Sequence, residues 1–177
     1  SVQKTVAGIV EKLGKIDALI NNAAVNAKFS SVDAVGQFAP YEEYPIDLWE
    51  KELQVNLTGT MIVTKAVAPV MMKQKSGSII NVASELSVIA HDHHIYNDET
   101  RFKSIAYTTT KTALVGFSRQ WAARLGMYNI RVNTLSPSGV YKESQSKDFV
   151  ERYAKTVMLG RMAHVSDYNG VIAFLCS

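Results

Sequence analysis

Cysteine is almost missing from this chain: Cys176 is the single one among 177 residues. It cannot close an internal disulfide, which excludes a disulfide-stapled scaffold and fits a reducing, cytoplasmic setting. Clusters of basic residues are missing too. Lys and Arg total 19 against 16 Asp and Glu, a formal charge of +3, and they are dispersed along the chain. No stretch could track a phosphodiester backbone, so nucleic acid is not expected as a partner. No apolar run approaches the roughly 20 residues that span a bilayer, so no membrane segment is expected either. Repeats and low-complexity tracts are absent. What is present is 47% hydrophobic and 20% charged, enough apolar material for one globular domain over residues 1–177.

The apolar pattern alternates between two periods. Val2, Val6, Ile9, Val10 and Leu13 recur at helical spacing, with Gly14 as the stop. Residues 16–20 form a short apolar run before Asn21 and Asn22, as expected of a strand buried on both faces. Helical spacing returns from Asp47 to about Lys75, where Asp47 and Glu50 have the form of a capping box. A strand is predicted at 78–82, then a helix through Leu114, Phe117, Trp121 and Leu125 with Gly126 as its stop. Residues 130–135 read as a third strand, and helices are predicted over 149–158 and 166–176, the last with Ser166 as N-cap.

This order predicts an α/β fold, a doubly wound parallel sheet with helices on both faces. A parallel sheet of three very apolar strands has two unpaired edges, which natural proteins avoid. Further strands are therefore expected outside the sequence, both before the first helix and after the last.

Chemistry-bearing residues gather where such a sheet places its ligand sites, at the strand C-termini. Asn21 to Ala24 follow the first strand, Ser84 the second, and Ser136 to Gly139 the third. Tyr107 and Lys111 stand four apart at the start of a helix, so the phenol and the ammonium share one face. A cation there would favour the phenolate and lower the Tyr107 pKa, as a general acid/base acting on an alcohol or carbonyl requires.

Taken together, Asn21-Asn22-Ala23-Ala24, Val55-Asn56, Asn81-Val82-Ala83-Ser84, Tyr107 to Lys111 and Arg131-Val132-Asn133 with Ser136-Pro137 resemble the motifs of the short-chain dehydrogenase/reductase family, in order and over nearly the whole chain. The resemblance implies a Rossmann-like fold and a catalytic tetrad of Asn56, Ser84, Tyr107 and Lys111. Tyr107 would exchange a proton with the substrate oxygen and Ser84 would polarise it. Lys111 would hold the nicotinamide ribose and lower the Tyr107 pKa, and Asn56 would hold a water leading to Lys111. The resemblance also implies NAD or NADP as cofactor, with Asn21, Ala23, Tyr107, Lys111, Pro137 and Val140 around it.

Ala24 and Ser138 stand where that family usually has glycine, and two larger features depart from it. The glycine-rich turn that seats the pyrophosphate is absent: neither Gly8 nor Gly14 has a strand before it and a helix after it. The residues that choose between NAD and NADP are missing with it. The interval from Ser84 to Tyr107 is also longer than usual by about ten residues, predicting a lid or substrate loop over the site. Its His91, His93 and His94 with Asp92 invite a metal, but adjacent imidazoles rarely converge on one ion and this chemistry needs none. Lys28, Arg101 and Lys103 are candidates to meet an anionic or hydroxyl-rich substrate.

The long segment also resembles oxidoreductases of bacterial flagellin-glycosylation and nonulosonic-acid pathways, which makes a sugar derivative the expected small-molecule substrate. A 3-oxoacyl thioester is the enzymatic alternative, and a non-catalytic Rossmann scaffold the alternative of another class. By the same resemblance a homodimer or homotetramer is expected through the helices at 47–75 and 107–125, where Met61, Ile62, Met71, Met72, Phe117 and Trp121 supply apolar surface.

Overall fold

A computed structural model describes residues 1–26, 36, 38–96 and 101–177. The described elements are α1 (Val2–Leu13), β1 (Ala18–Asn21), α2 (Ile46–Leu53), α3 (Gly59–Gln74), β2 (Gly77–Val82), α4 (Ile105–Leu125), β3 (Ile130–Leu135), α5 (Lys147–Thr156) and α6 (Asn169–Cys176). Between α2 and α3 the chain keeps its helical course through a π turn at Gln54–Thr58. The three strands are parallel, in the order β1-β2-β3.

Register decides which side chains share a face. Leu19, Ile79 and Val132 lie side by side across the sheet, so they point the same way. They meet Val6 of α1, Val67, Ala68 and Met71 of α3, and Leu125 of α4 in the main core. Three helices thus cover this face. On the other face Ser78 and Arg131 are neighbours. Both donate to the Leu175 carbonyl, at 2.5 and 2.9 Å, and so bring α6 against the sheet. Ile80 on that face is fully buried, whereas Ile20 is 43% exposed.

Gly77 lets α3 lie close to the start of β2. A Cβ there would stand 2.5 Å from the Met71 Sδ. Met71 itself is fully buried, so it belongs to the core and not to an outer apolar face, as the sequence had suggested. Met61 and Ile62 do stay about 40% exposed, at 41% and 40%.

Several expected boundaries shift for local reasons. The helix expected from Asp47 begins at Ile46 after Pro45, with no side-chain cap. The Asp47–Glu50 capping box therefore does not form, and Asp47 stands in the first turn, where the helix dipole favours a negative charge. α4 ends at Leu125 with Gly126 as its C-cap, as expected, but Gly126 keeps φ −56° and a 3-10 turn runs on to Tyr128. Asn129, at φ 58°, takes the left-handed position and ends the run. Ser166 is not an N-cap. His164 caps the 3-10 turn Val165–Tyr168, and the Asp167 side chain returns a bond to the His164 N–H, 2.9 Å.

The helical run Ile46–Gln74 contains an 18-residue window with a mean hydropathy of 1.3, enough by length and composition alone to cross a bilayer, although charged residues interrupt the run as the sequence predicts. Its apolarity has a packing explanation, since Val67, Ala68 and Met71 form part of the core under the sheet.

Candidate active site

The strand C-termini form one rim. Asn21 at the end of β1 donates through its Nδ2 to Asn81 Oδ1 at 2.8 Å and to Thr64 Oγ1 at 3.1 Å. Asn81 in turn donates to Ser118 Oγ at 2.8 Å. This buried polar chain ties β1, β2, α3 and α4 together, so the Asn21 side chain serves the interior face of the sheet. Ala23 and Ala24 follow on the rim, exposed.

Asn56 lies in the π turn, 1% exposed. Its Oδ1 accepts from the Val25 N–H at 2.7 Å, and its Nδ2 donates to the Val25 carbonyl at 3.1 Å and to Thr110 Oγ1 at 3.2 Å. The amide therefore clamps the loop after β1 onto α4, one residue before Lys111. A π turn inserts one extra residue per turn and re-aims the side chains after it.

Ser84 follows β2 in extended backbone. It is held there because Ala83 donates to the Leu135 carbonyl at 2.7 Å and Glu85 to the Pro137 carbonyl at 2.9 Å. The Ser84 Oγ caps the turn Glu85–Ser87 by accepting from Leu86 at 3.3 Å. It faces the Tyr107 phenol closely enough to pull the phenol's pKa down. The second and third strand ends thus carry Ser84 to α4.

Tyr107 is placed by Ser104, the N-cap of α4, whose Oγ accepts from the Tyr107 N–H at 3.0 Å. Two ammonium groups flank the ring, Lys103 at 4.3 Å and Lys111 at 5.6 Å from its centroid. Lys111, 4% exposed, donates to the Val82 carbonyl at 2.6 Å. Burial lowers the Lys111 pKa to about 8. It lowers that of Lys103 to about 8 as well, with Glu52 opposing and Lys111 reinforcing the shift.

The Tyr107 pKa is raised, first by burial; Ser84 pulls it down, while Glu52 and Glu85 push it up. This corrects the expectation that Lys111 lowers it. Both lysines titrate at about 8, so below that pH their ammonium groups face the phenol and above it they no longer favour the phenolate. At neutral pH the cluster is a protonated phenol beside two ammonium groups.

After β3, Ser138 and Gly139 pack against α5. The Tyr153 hydroxyl accepts from the Gly139 N–H at 2.7 Å, lies 3.0 Å from Ser138 Oγ and donates to the Glu85 carboxylate. A Cβ on Gly139 would stand 2.5 Å from Tyr153 Cζ, so the glycine is needed for this approach. Burial pushes the Tyr153 phenol up to about 12. Tyr153→Phe removes all these bonds at once and is expected to cost about 1–3 kcal/mol, measured by urea unfolding. Val140 pairs with Ala163 as a parallel bridge, in which Tyr141 donates to the Ala163 carbonyl and Ala163 to the Gly139 carbonyl. In such a pair Val140 turns its own N–H and C=O away from Ala163.

The segment between Ser84 and Tyr107 brings an aromatic cluster. His93 packs on Phe102 with ring centroids 4.9 Å apart and on His91 at 5.4 Å, and its Nε2 pairs with the Tyr41 hydroxyl at 3.2 Å. Burial, with Lys103 and His93 nearby, lowers His91 to about 4, so it is neutral at physiological pH. Among the described residues no group of three or more His, Cys, Asp or Glu is arranged to hold a metal ion. Arg101 is exposed; Lys28 lies outside the described residues.

The structure therefore gathers Ser84, Tyr107, Lys111 and Asn56 around the first turns of α4, and adds two groups that the motif reading did not place there. The sequence offers Lys103 as a loop cation to meet the substrate, not as a partner of the Tyr107 ring. Glu52 had no role. Its signal was a carboxylate one turn before Asn56, on the buried side of an amphipathic helix.

A protein-family model described as short chain dehydrogenase matches residues 1–152. The chain is 32% identical over 184 residues to dehydrogenase/reductase SDR family member 4 of Mus musculus, covering 99% of this chain and 58% of that protein. It is 31% identical over 181 residues to D-threitol dehydrogenase of Mycolicibacterium smegmatis, covering 100% of this chain and 62% of that one. Among solved structures, NAD+-bound xylitol dehydrogenase matches with a TM-score of 0.83 at 31% identity, over 99% of this chain and 68% of that one. The chain thus spans about 60% of the length of the curated relatives it matches.

Proposed function

We propose, because the chain belongs to the short chain dehydrogenase family, that it carries the catalytic rim of an oxidoreductase interconverting a secondary alcohol and a ketone with NAD(H) or NADP(H). The observation that supports this most is the convergence of Ser84, Tyr107 and Lys111 at the C-terminal ends of β2 and β3. Polyols and sugar derivatives are the substrate class, in line with relatives named for D-threitol and xylitol.

When bound, the nicotinamide would supply or accept the hydride. The residues present fit its reactive end. Val140 offers an N–H and a C=O turned from its bridge partner, suited to a carboxamide. Ala23 offers a rim without bulk, Pro137 shapes the turn beside Ser84, and Lys111 would hold a ribose hydroxyl. Tyr107 would also border that ribose, whereas Asn21 acts from beneath by fixing the end of β1.

Ser84 orients the substrate oxygen, and Tyr107 gives it a proton as the carbonyl is reduced. The two ammonium groups stabilise the negative charge that then develops on the phenol oxygen. In the reverse direction Tyr107 must first lose its proton. Because its pKa is raised and the lysines titrate at about 8, reduction is expected to fall as pH rises through about 8 while oxidation climbs on the alkaline side. Paired pH–rate profiles check this sign.

Fluorescence titration of the full-length protein with NADH and NADPH tests the reading. Saturable binding of at least one is expected, and binding of neither would favour the non-catalytic scaffold. The segment between Ser84 and Tyr107 is a substrate loop on this account. Shortening it is expected to raise KM and broaden the substrate range, and unchanged values would remove that role. The exposed Met61 and Ile62 on α3 are the face offered for a homodimer or homotetramer.

A further inference from the structure

Glu52 is a carboxylate with no exposed surface, near the end of α2. Its Oε1 accepts from the Tyr44 hydroxyl and from Ser104 Oγ, each at 2.8 Å, and those two hydroxyls lie 2.9 Å apart. Its Oε2 has no hydrogen-bond partner among the described residues. Ser104 is the residue that receives the Tyr107 N–H and starts α4. One turn after Glu52 stands Asn56, which reaches the same helix through Thr110. The carboxylate therefore joins the helix of Asn56 to the first turn of Tyr107.

Packing alone does not explain a charge in this place. An apolar side chain of similar volume would hold α2 against α4 without the desolvation cost of a buried carboxylate. What an apolar residue would lack is the field. Glu52 acts on Lys103 and on Tyr107. The other charged or titratable groups facing Tyr107 are Lys103 before α4, Lys111 on α4 and Glu85 after β2, with His91 beside Lys103.

We propose that Glu52 is a positioning residue for Tyr107: through Ser104 it fixes the first turn of α4, and its charge balances Lys103 and sets the pH range in which Tyr107 exchanges its proton. This rests on the reading of Tyr107 as the acid/base.

The experiment is Glu52→Gln in the full-length protein, with pH–rate profiles in both directions, dinucleotide titration and thermal melting. Gln keeps an oxygen for Tyr44 and Ser104 but removes the charge. Dinucleotide affinity should stay within about twofold, while both limbs of the profile move to lower pH by about one unit, the size of one nearby charge. Glu52→Asp keeps the charge and shortens the reach to Ser104, so kcat should fall several-fold with the limbs in place. If Glu52→Gln does not fold, Glu52→Asp decides, and wild-type kcat in that variant overturns the proposal. A Glu52→Gln profile that superimposes on the wild type also overturns it. Tyr107→Phe separates the two failures: an active Phe variant defeats the acid/base reading, whereas an inactive one beside an unshifted Glu52→Gln defeats only the role of Glu52.

Discussion

Replacing Tyr107 by Phe is expected to lower turnover by about 10²- to 10⁴-fold, the range that a positioned proton donor contributes. Dinucleotide affinity should change little. The reason lies in the geometry around the ring. The N–H of residue 107 remains on Ser104 and the ring remains under the Lys103 ammonium, because neither contact uses the hydroxyl. Only the influence of Ser84 on the phenol and the transferable proton disappear. Steady-state kinetics with the variant, beside a fluorescence titration of the reduced dinucleotide, separate the two quantities. Loss of both together would mean that the hydroxyl holds the site together; retention of both would mean that another group moves the proton.

The second large effect is expected at Lys111, where activity and stability should part company. Lys111→Met removes an ammonium that the fold holds at 4% exposure, with its pKa drawn from 10.5 down to about 8 by burial. That shift corresponds to about 3 kcal/mol of unfavourable burial at neutral pH. The hydrogen bond to the Val82 carbonyl is lost in exchange, at a cost of about 1–3 kcal/mol. The two terms nearly cancel, so melting at neutral pH should stay close to the wild type while turnover falls by about 100-fold or more.

The pH dependence gives a second reading of the same residue. Between about 8 and 10.5 the unfolded chain binds a proton at Lys111 that the folded chain does not. Wild-type stability should therefore rise with pH across that window, and the part due to Lys111 should vanish in the Met variant. Lys103, lowered to about 8 as well, contributes in the same direction and remains in both proteins. Urea unfolding at several pH values checks the difference in slope. A variant that melts far below the wild type would show that the ammonium holds the fold.

Local patterns made much of the architecture readable. Residues 130–135 form β3 over those same positions, because Ile130 and Val132 alternate with Arg131 and Asn133 between the turn residues Asn129 and Ser136-Pro137. Gly14 ends α1 in the left-handed conformation expected of it. Tyr107 and Lys111 were readable as a pair because helical geometry alone puts residues four apart on one face.

What escaped the sequence depends on contacts distant in the chain. The π turn at Gln54–Thr58 has no local signature; it is accompanied by the bonds that Asn56 makes to Val25 and Thr110. Gly126 ends α4 without the left-handed turn, which Asn129 supplies after a 3-10 extension, since Asn also tolerates positive φ. The Tyr107 pKa is not legible in the sequence because four-residue spacing shows the nearby ammonium but not the burial that outweighs it. Glu52 is not legible because a carboxylate in a helix is ordinarily solvated, and only the fold places it under Ser104 with no exposed surface.

The most direct test of the central claim is hydride transfer in the full-length protein. Wild type and Tyr107→Phe would be incubated with NAD+ and NADP+ and a panel of polyols, sugar derivatives and 3-hydroxyacyl thioesters, and formation of reduced nicotinamide followed by its absorbance. The account predicts turnover of at least one polyol or sugar derivative by the wild type, with the Phe variant lower by about 100-fold or more. Equal rates in the two proteins, or a wild type that binds dinucleotide and reduces none of it with any alcohol offered, would contradict it.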